Sequence, residues 1–338
     1  MSTTAQPIDA SNRTAPFATS AAPEADTHWK QAFTNEELRE LLAISNARSI
    51  GTLLVNWIGI FACFSLVAWS ANPLTILIAL FALGGRQLGC AIVMHEAAHR
   101  TFFTNRVWND RIGNWLGAYP IGGDVLPYRQ YHLIHHARTG TEADPDLSLT
   151  KPFPITKQSF RRKVWRDLSG QTGWKQLIGT FQRDLGLAQK GTQRNRGLRP
   201  GEKPDVGWHK VAPFLISNGA ILAILGAFGR PELYLLWFVA LLTTYRLALR
   251  IRSIAEHAMS GPPEDPLRNT RTTRVSWLER IFFAPNYVNF HLEHHLLMTV
   301  PHYHLPRMHD RLRERGLLER ALVTEGGYRE VLQRATAG

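Results

Sequence analysis

PLTILIALFALGGRQLGCAIVMHEAAH, residues 73–99, holds the reading that decides the fold. The part from 73 to 94 is apolar with one charge, Arg86, and it runs without a break into HEAAH at 95–99. About 20 helical residues at ~1.5 Å rise cross a ~30 Å hydrocarbon layer, so 73–94 reads as a membrane span. If the helix continues past the membrane, His95 and His99 stand at i and i+4 on one face. Read literally, HEAAH also matches H-E-x-x-H, the zinc-protease signature, with Glu96 as the base.

Three further apolar runs lie at 49–71, 211–229 and 232–249. They form two close pairs with 73–94, joined by tight turns at Asn72-Pro73 and Gly229-Arg230-Pro231. Lys and Arg crowd 95–210 and 250–338, whereas the first turn has none and the second only Arg230. The positive-inside rule then puts both long segments and the N-terminus in the cytoplasm. Arg86 and Arg246, late in the second and fourth runs, are expected at the cytoplasmic face. The predicted architecture is an all-α integral membrane protein. Four transmembrane helices form two hairpins under a cytoplasmic helical cap, 95–210 and 250–338, that holds a His-rich dimetal site. Residues 1–33 are expected to be a disordered tail without signal-peptide or transit character. The single domain is expected over 34–338, opened by Thr34 and Glu37 at capping-box spacing.

The formal net charge is +12, from 39 Lys and Arg against 27 Asp and Glu. The two cysteines, Cys63 and Cys90, lie in apolar runs and read as buried thiols, so no disulfide framework is implied. Of the 14 His, only His28 precedes His95. YHLIHH carries His132, His135 and His136, and FHLEHH carries His291, His294 and His295. Each triplet is i, i+3, i+4, which gathers its imidazoles on one side of a helix. His257, in IAEHA, follows the fourth run. Imidazole suits zinc, copper, iron and nickel. One zinc takes three or four ligands, so eight or nine clustered His suit two ions. A protease needs only His95, His99, Glu96 and one more ligand, and leaves both triplets unexplained.

At these residues the chain resembles the membrane fatty acid desaturase and hydroxylase superfamily. HEAAH, HLIHH and HLEHH match its three histidine boxes in order and in spacing from the spans. TGTEADPDL at 139–147 and VPHYHLPRMH at 300–309 resemble the stretches after the second and third boxes. The resemblance covers about 50–315 and implies two non-heme irons in the cap, with dioxygen as cosubstrate. It implies His95, His99, His132, His135, His136, His257, His291, His294 and His295 as ligands. Asp144, Asp146, Glu256 and Glu293 are candidate partners that orient those imidazoles. Some relatives carry Asn one turn before the His257 position, where this chain has Ser253. His302, His304 and His309 read as cap structure or surface rather than ligands.

The implied reaction is oxygen-dependent desaturation of a lipid acyl chain. A lipid or carotenoid hydroxylase or ketolase would use the same site. A zinc metalloprotease and a non-enzymatic metal carrier are the readings from other classes. Two Cys cannot hold a Cys-ligated iron–sulfur cluster, and no heme domain or glycine-rich nucleotide fingerprint is present. Electrons are therefore expected from a separate donor of ferredoxin or cytochrome type. The substrate tunnel is expected to be apolar and walled by aromatics, with Trp108, Trp115, Tyr119, Tyr128 and Tyr131 as candidates that equally suit interfacial anchoring. KQSFRRKVWRDLSGQTGWKQ, at 157–176, reads as a helix lying on lipid headgroups rather than a nucleic-acid site, and QKGTQRNRGLRPGEKP after it as a loop.

Overall fold

A computed structural model describes residues 28–187, 203 and 205–338. The tail before His28 and most of the Gly- and Arg-rich loop fall outside those residues. Ten helices position the site: α1 (Asn46–Trp69), α2 (Pro73–His99), α3 (Val125–Arg138), α4 (Lys157–Leu168), α5 (Gln171–Asp184), α6 (Trp208–Ala227), α7 (Tyr234–Leu242), α8 (Thr244–His257), α9 (His291–Leu296) and α10 (Leu305–Glu314). Among the described residues four helical stretches are long and apolar enough to cross a membrane: Asn46–Trp69, Pro73–His99, Trp208–Ala227 and Pro231–His257. They cover the four apolar runs almost entirely, with ends moved by a few residues.

α2 is the central element. Asn72 caps its start by accepting from the Leu74 and Thr75 amides at 3.0 and 3.1 Å, and Pro73 occupies the first turn, where its missing N–H costs nothing. Its 27 residues give a length of ~40 Å, more than a bilayer core needs. Every residue from Gln87 to His99 is buried, so the last turns run into protein rather than lipid. A Cβ on Gly84 would sit 2.6 Å from Thr244 Oγ1, so glycine there lets α8 approach α2 closely. Arg86 donates to the Ile281 carbonyl at 3.0 Å, which ties the second span to the segment Trp277–Phe282.

The end of α2 is held by side chains from the next elements. Buried Arg129 on α3 donates from Nε to the Ala98 carbonyl and from Nη2 to the Ala97 carbonyl, both at 2.8 Å. Asn109 Nδ2 donates to the same Ala97 carbonyl at 2.8 Å. Arg100 closes the helix in the left-handed region at φ 61°. The carbonyls that a helix C-terminus leaves unpaired are thus satisfied, and a cation lies against the negative end of the dipole. Arg129→Ala is expected to cost about 2–4 kcal/mol, since a charged donor contributes ~1.5–3 kcal/mol per bond and the freed carbonyls stay buried. Thermal unfolding in detergent checks this.

The fourth span is not the single uninterrupted helix expected over 232–249. It breaks at Thr243 (φ −121°, ψ −86°) into α7 and α8. Gly173 of α5 packs directly on the Leu242 backbone, where a side chain would collide with the carbonyl. Thr244 Oγ1 donates to the Leu80 carbonyl at 2.6 Å and anchors the new direction. The chain after the fourth apolar stretch also departs from pure helix, because Thr272–Thr273 pairs in parallel with Val323–Thr324. At the N-terminal side the capping box forms, with the Glu37 amide donating to Thr34 Oγ1 at 3.2 Å and the Thr34 amide to Glu37 Oε2 at 2.9 Å. Packing starts earlier than the expected boundary at 34, because Trp29 and Phe33 are buried in one cluster with Leu305, Met308 and Leu312 of α10.

Candidate metal centre

The nine box and near-box histidines converge. His95, His99, His132, His136 and His294 form one group, and His135, His257, His291 and His295 a second. Within each group the nearest ring nitrogens lie within 4.8 Å of one another. The two groups adjoin, since the His136 and His295 rings stack with centroids 4.1 Å apart.

The helices divide their histidines in a regular way. On α3, His132 and His136 enter the first group, while His135 enters the second. On α9, His291 and His295 enter the second, while His294 enters the first. In each triplet the i and i+4 rings serve one group and the i+3 ring crosses to the other. The i, i+3, i+4 spacing alone places three rings on one side of a helix; facing α3 against α9 is what sorts them into two sets. His95 and His99 come from the last turns of α2, and His257 is the last residue of α8.

Carboxylates fix several of these rings. His135 Nδ1 lies 2.8 Å from Asp144 Oδ1. A carboxylate only accepts, so Nδ1–H donates and the Nε2 lone pair is left for the group's centre. Burial alone would raise the Asp144 pKa, but the bond from His135 and the Gly140 and Asp146 amides hold it below the usual range. Asp146 sits 3.8 Å from the same nitrogen and accepts from the Tyr131 hydroxyl. Glu256 lies 3.5 Å from His291 Nδ1 and accepts from Arg252 Nε at 2.6 Å. Glu96, adjacent to His95, lies 3.3 Å from its Nδ1 and also accepts from Thr101 Oγ1 and the His302 amide, both at 3.0 Å. Burial drives the pKa values of His132, His136, His291, His294 and His295 down, with neighbouring imidazoles adding to it. These rings are therefore neutral and present lone pairs, as ligands must.

The donor set fits metal ions. His95 Nε2, His99 Nε2 and His295 Nε2 are buried without a hydrogen-bond partner among the described residues. Orphaned polar atoms at this depth are costly unless something coordinates them. His136 Nε2 lies 3.0 Å from both His132 Nε2 and His294 Nε2. Two nitrogens bonded at ~2.1 Å to one ion at right angles would stand about 3.0 Å apart.

Residues 67–325 match the model of the fatty acid desaturase family. The chain belongs to that family. This desaturase-family protein is 28% identical over 246 residues to a dihydrorhizobitoxine desaturase of Bradyrhizobium elkanii, covering 70% of this chain and 66% of the relative. It is 25% identical over 307 residues to an sn-1 acyl-lipid omega-3 desaturase (ferredoxin) of Synechocystis, covering 81% and 79%. It is 33% identical over 109 residues to a Delta(5) fatty acid desaturase of Caenorhabditis elegans, covering 30% and 23%.

Not every residue singled out in this desaturase-family sequence meets the centre. Glu293 faces the other way, taking His309 Nδ1 at 2.6 Å and the Thr272 hydroxyl. His302, His304 and His309 are buried rather than at the surface. His302 was readable only as part of the VPHYHLPRMH stretch; its partnership with Glu96 needs a contact 206 residues away. Trp108 and Trp115 are exposed and line none of the cavities near the His cluster, whereas Tyr128 and Tyr131 do. Tyr128 stacks on His132, with centroids 5.0 Å apart. Thr139 Oγ1 near His295 Nδ1, at 3.3 Å, was readable only as the first residue of the TGTEADPDL stretch. Asp144→Ala is expected to lower activity or metal retention ~10–100-fold, because it frees His135 to rotate, and to lower the melting temperature as well, because the Gly140 and Asp146 amides lose their acceptor. Turnover and metal content of the purified variant check this.

Proposed function

We propose that the protein desaturates a lipid acyl chain at two irons held by the nine histidines, with dioxygen as cosubstrate and electrons from a separate carrier. The observation that carries this reading is the division of nine histidines into two adjoining groups beside a cavity of about 450 Å³, which His132, His135, His257 and His291 line. When bound, the irons supply the redox chemistry that an unactivated C–H bond requires. The rest belongs to the chain's own residues. Asp144 keeps the His135 proton on Nδ1, and Glu96 does the same for His95. Tyr128, Tyr131 and Tyr245 line the space where one methylene must be held close to the centre. The burial of His95, His132, His135, His291 and His294 keeps bulk water away from it.

We place the four spans in a membrane as two hairpins, with the histidines, both long segments and both termini on the cytoplasmic side, on the Lys and Arg distribution. The name of the Synechocystis relative supports an acyl-lipid substrate and a ferredoxin-type donor. The Bradyrhizobium relative is named for a different substrate, so the test must not presuppose a lipid. The protein is expressed in a host with its own reducing system, and lipid and polar extracts are profiled by mass spectrometry against a His135→Ala control. Acyl lipids lighter by two hydrogens, absent from the control, are the expected result. Products heavier by one oxygen would replace this reading with a hydroxylase.

A further inference from the structure

Beside the His-lined cavity, where α4 packs against α8 and α5 against α7, lies a larger cleft of about 1050 Å³. Its walls carry six cations: Lys163, Arg166, Lys175, Arg183, Arg246 and Arg250. The two spaces adjoin, sharing Lys163, Thr172, Gln176, Arg246 and Arg250 as lining.

The charge in this cleft is not balanced from within. Asp167 accepts from Arg250 at 2.8 Å, and Asp184 from Arg183 at 2.9 Å. Lys163, Arg166, Lys175 and Arg246 have no ion pair among the described residues. Arg246 Nε is buried and has no hydrogen-bond partner among them, and its guanidinium lies 4.9 Å over the Tyr245 ring. Burial, with Arg250 and Arg166 nearby, pushes the Lys163 ammonium below its usual range. Arg166 and Lys175 are exposed, but Lys163 and Arg246 are partly buried without a counter-charge, and an anion between them would relieve that. A guanidinium fork suits a phosphate, and lysines add point charge.

The surroundings say what kind of anion. From the cleft, the wall towards the histidines includes Ala91, Met94, Tyr245, Leu249 and Ile254, which suits an acyl chain. On α4 and α5 themselves, Trp165, Trp174 and Ile178 are exposed, as helices lying on a lipid surface require. We propose that the basic cleft seats the phosphate headgroup of an acyl lipid, whose chain passes Arg246 into the His-lined cavity. This rests on the desaturase reading and narrows its substrate to phosphate-bearing glycerolipids.

The test reads binding rather than turnover. The full-length protein as purified is examined by native mass spectrometry with phosphatidylglycerol, with a galactosyl diacylglycerol of the same acyl chains, and with inorganic phosphate. Retention of phosphatidylglycerol is expected to exceed that of the galactolipid by roughly tenfold or more, and phosphate alone to be held weakly. The Lys163→Gln/Arg246→Gln variant should lose the preference. Lys175→Gln, at an exposed position that tolerates change, should reduce it, and Arg106→Gln, outside the cleft, should leave it intact. Equal retention of the two lipids, a preference that survives the cleft variants, or phosphate bound as tightly as the lipid would overturn the proposal. A missing preference leaves the desaturase reading standing, while retained binding without any desaturated product refutes that reading alone.

Discussion

His294→Ala is expected to leave less than about 1% of wild-type turnover and to reduce the bound metal by about one ion per chain. His294 is the one α9 ring in the first group, with Nε2 3.0 Å from His136 Nε2. Loss of a mere supporting partner of a ligand costs ~10–100-fold, so loss of a ligand sets that as a lower bound. The fold should survive, because the rest of α9, including Leu292 and Leu296, stays packed in its apolar cluster. His304→Ala provides the contrast. His304 is also a buried imidazole, but it belongs to neither group, so most turnover should remain. Metal analysis and product yield on the two purified variants separate these outcomes.

Glu96→Ala has the second large effect, and its form separates two chemistries. The carboxylate is buried, and its oxygens accept from Thr101 Oγ1 and the His302 amide while lying 3.3 Å from Nδ1 of both His95 and His302. Removing it strands several buried donors at ~1–3 kcal/mol each, so about 3–5 kcal/mol of stability should be lost. The melting temperature should fall by roughly 5–10 °C. A zinc-protease Glu would behave differently: activity would vanish while stability held, because a general base must be free to reach water. Here the oxygens are already engaged. Thermal unfolding of Glu96→Ala and Glu96→Gln in detergent checks this, with Gln expected to recover part of the loss.

The parts of this protein that were legible in its sequence are those set by local periodicity. Twenty-residue apolar runs announce helices long enough for a membrane, and HxxxH or HxxHH announces imidazoles that share a helix side. What sequence left open depends on how helices face each other. The sorting of His135 away from His132 and His136 arises only when α3 meets α9 and α8. Glu293 reads as a partner of the third box by adjacency, yet it lies two residues from His291, ~200° around the helix, and turns to His309. The break at Thr243 has no proline or glycine at that position; it lies where Gly173 of another helix meets the Leu242 backbone. His302 reaches Glu96 across 206 residues, a pairing no local pattern encodes.

The proposed chemistry requires two irons held by the nine histidines. The most direct measurement is the metal content of the full-length protein from an iron-replete host, by plasma mass spectrometry against quantitative amino-acid analysis. About two irons per chain, falling in the His294→Ala variant, is the predicted result. One zinc per chain, unaffected by loss of His294, would contradict it.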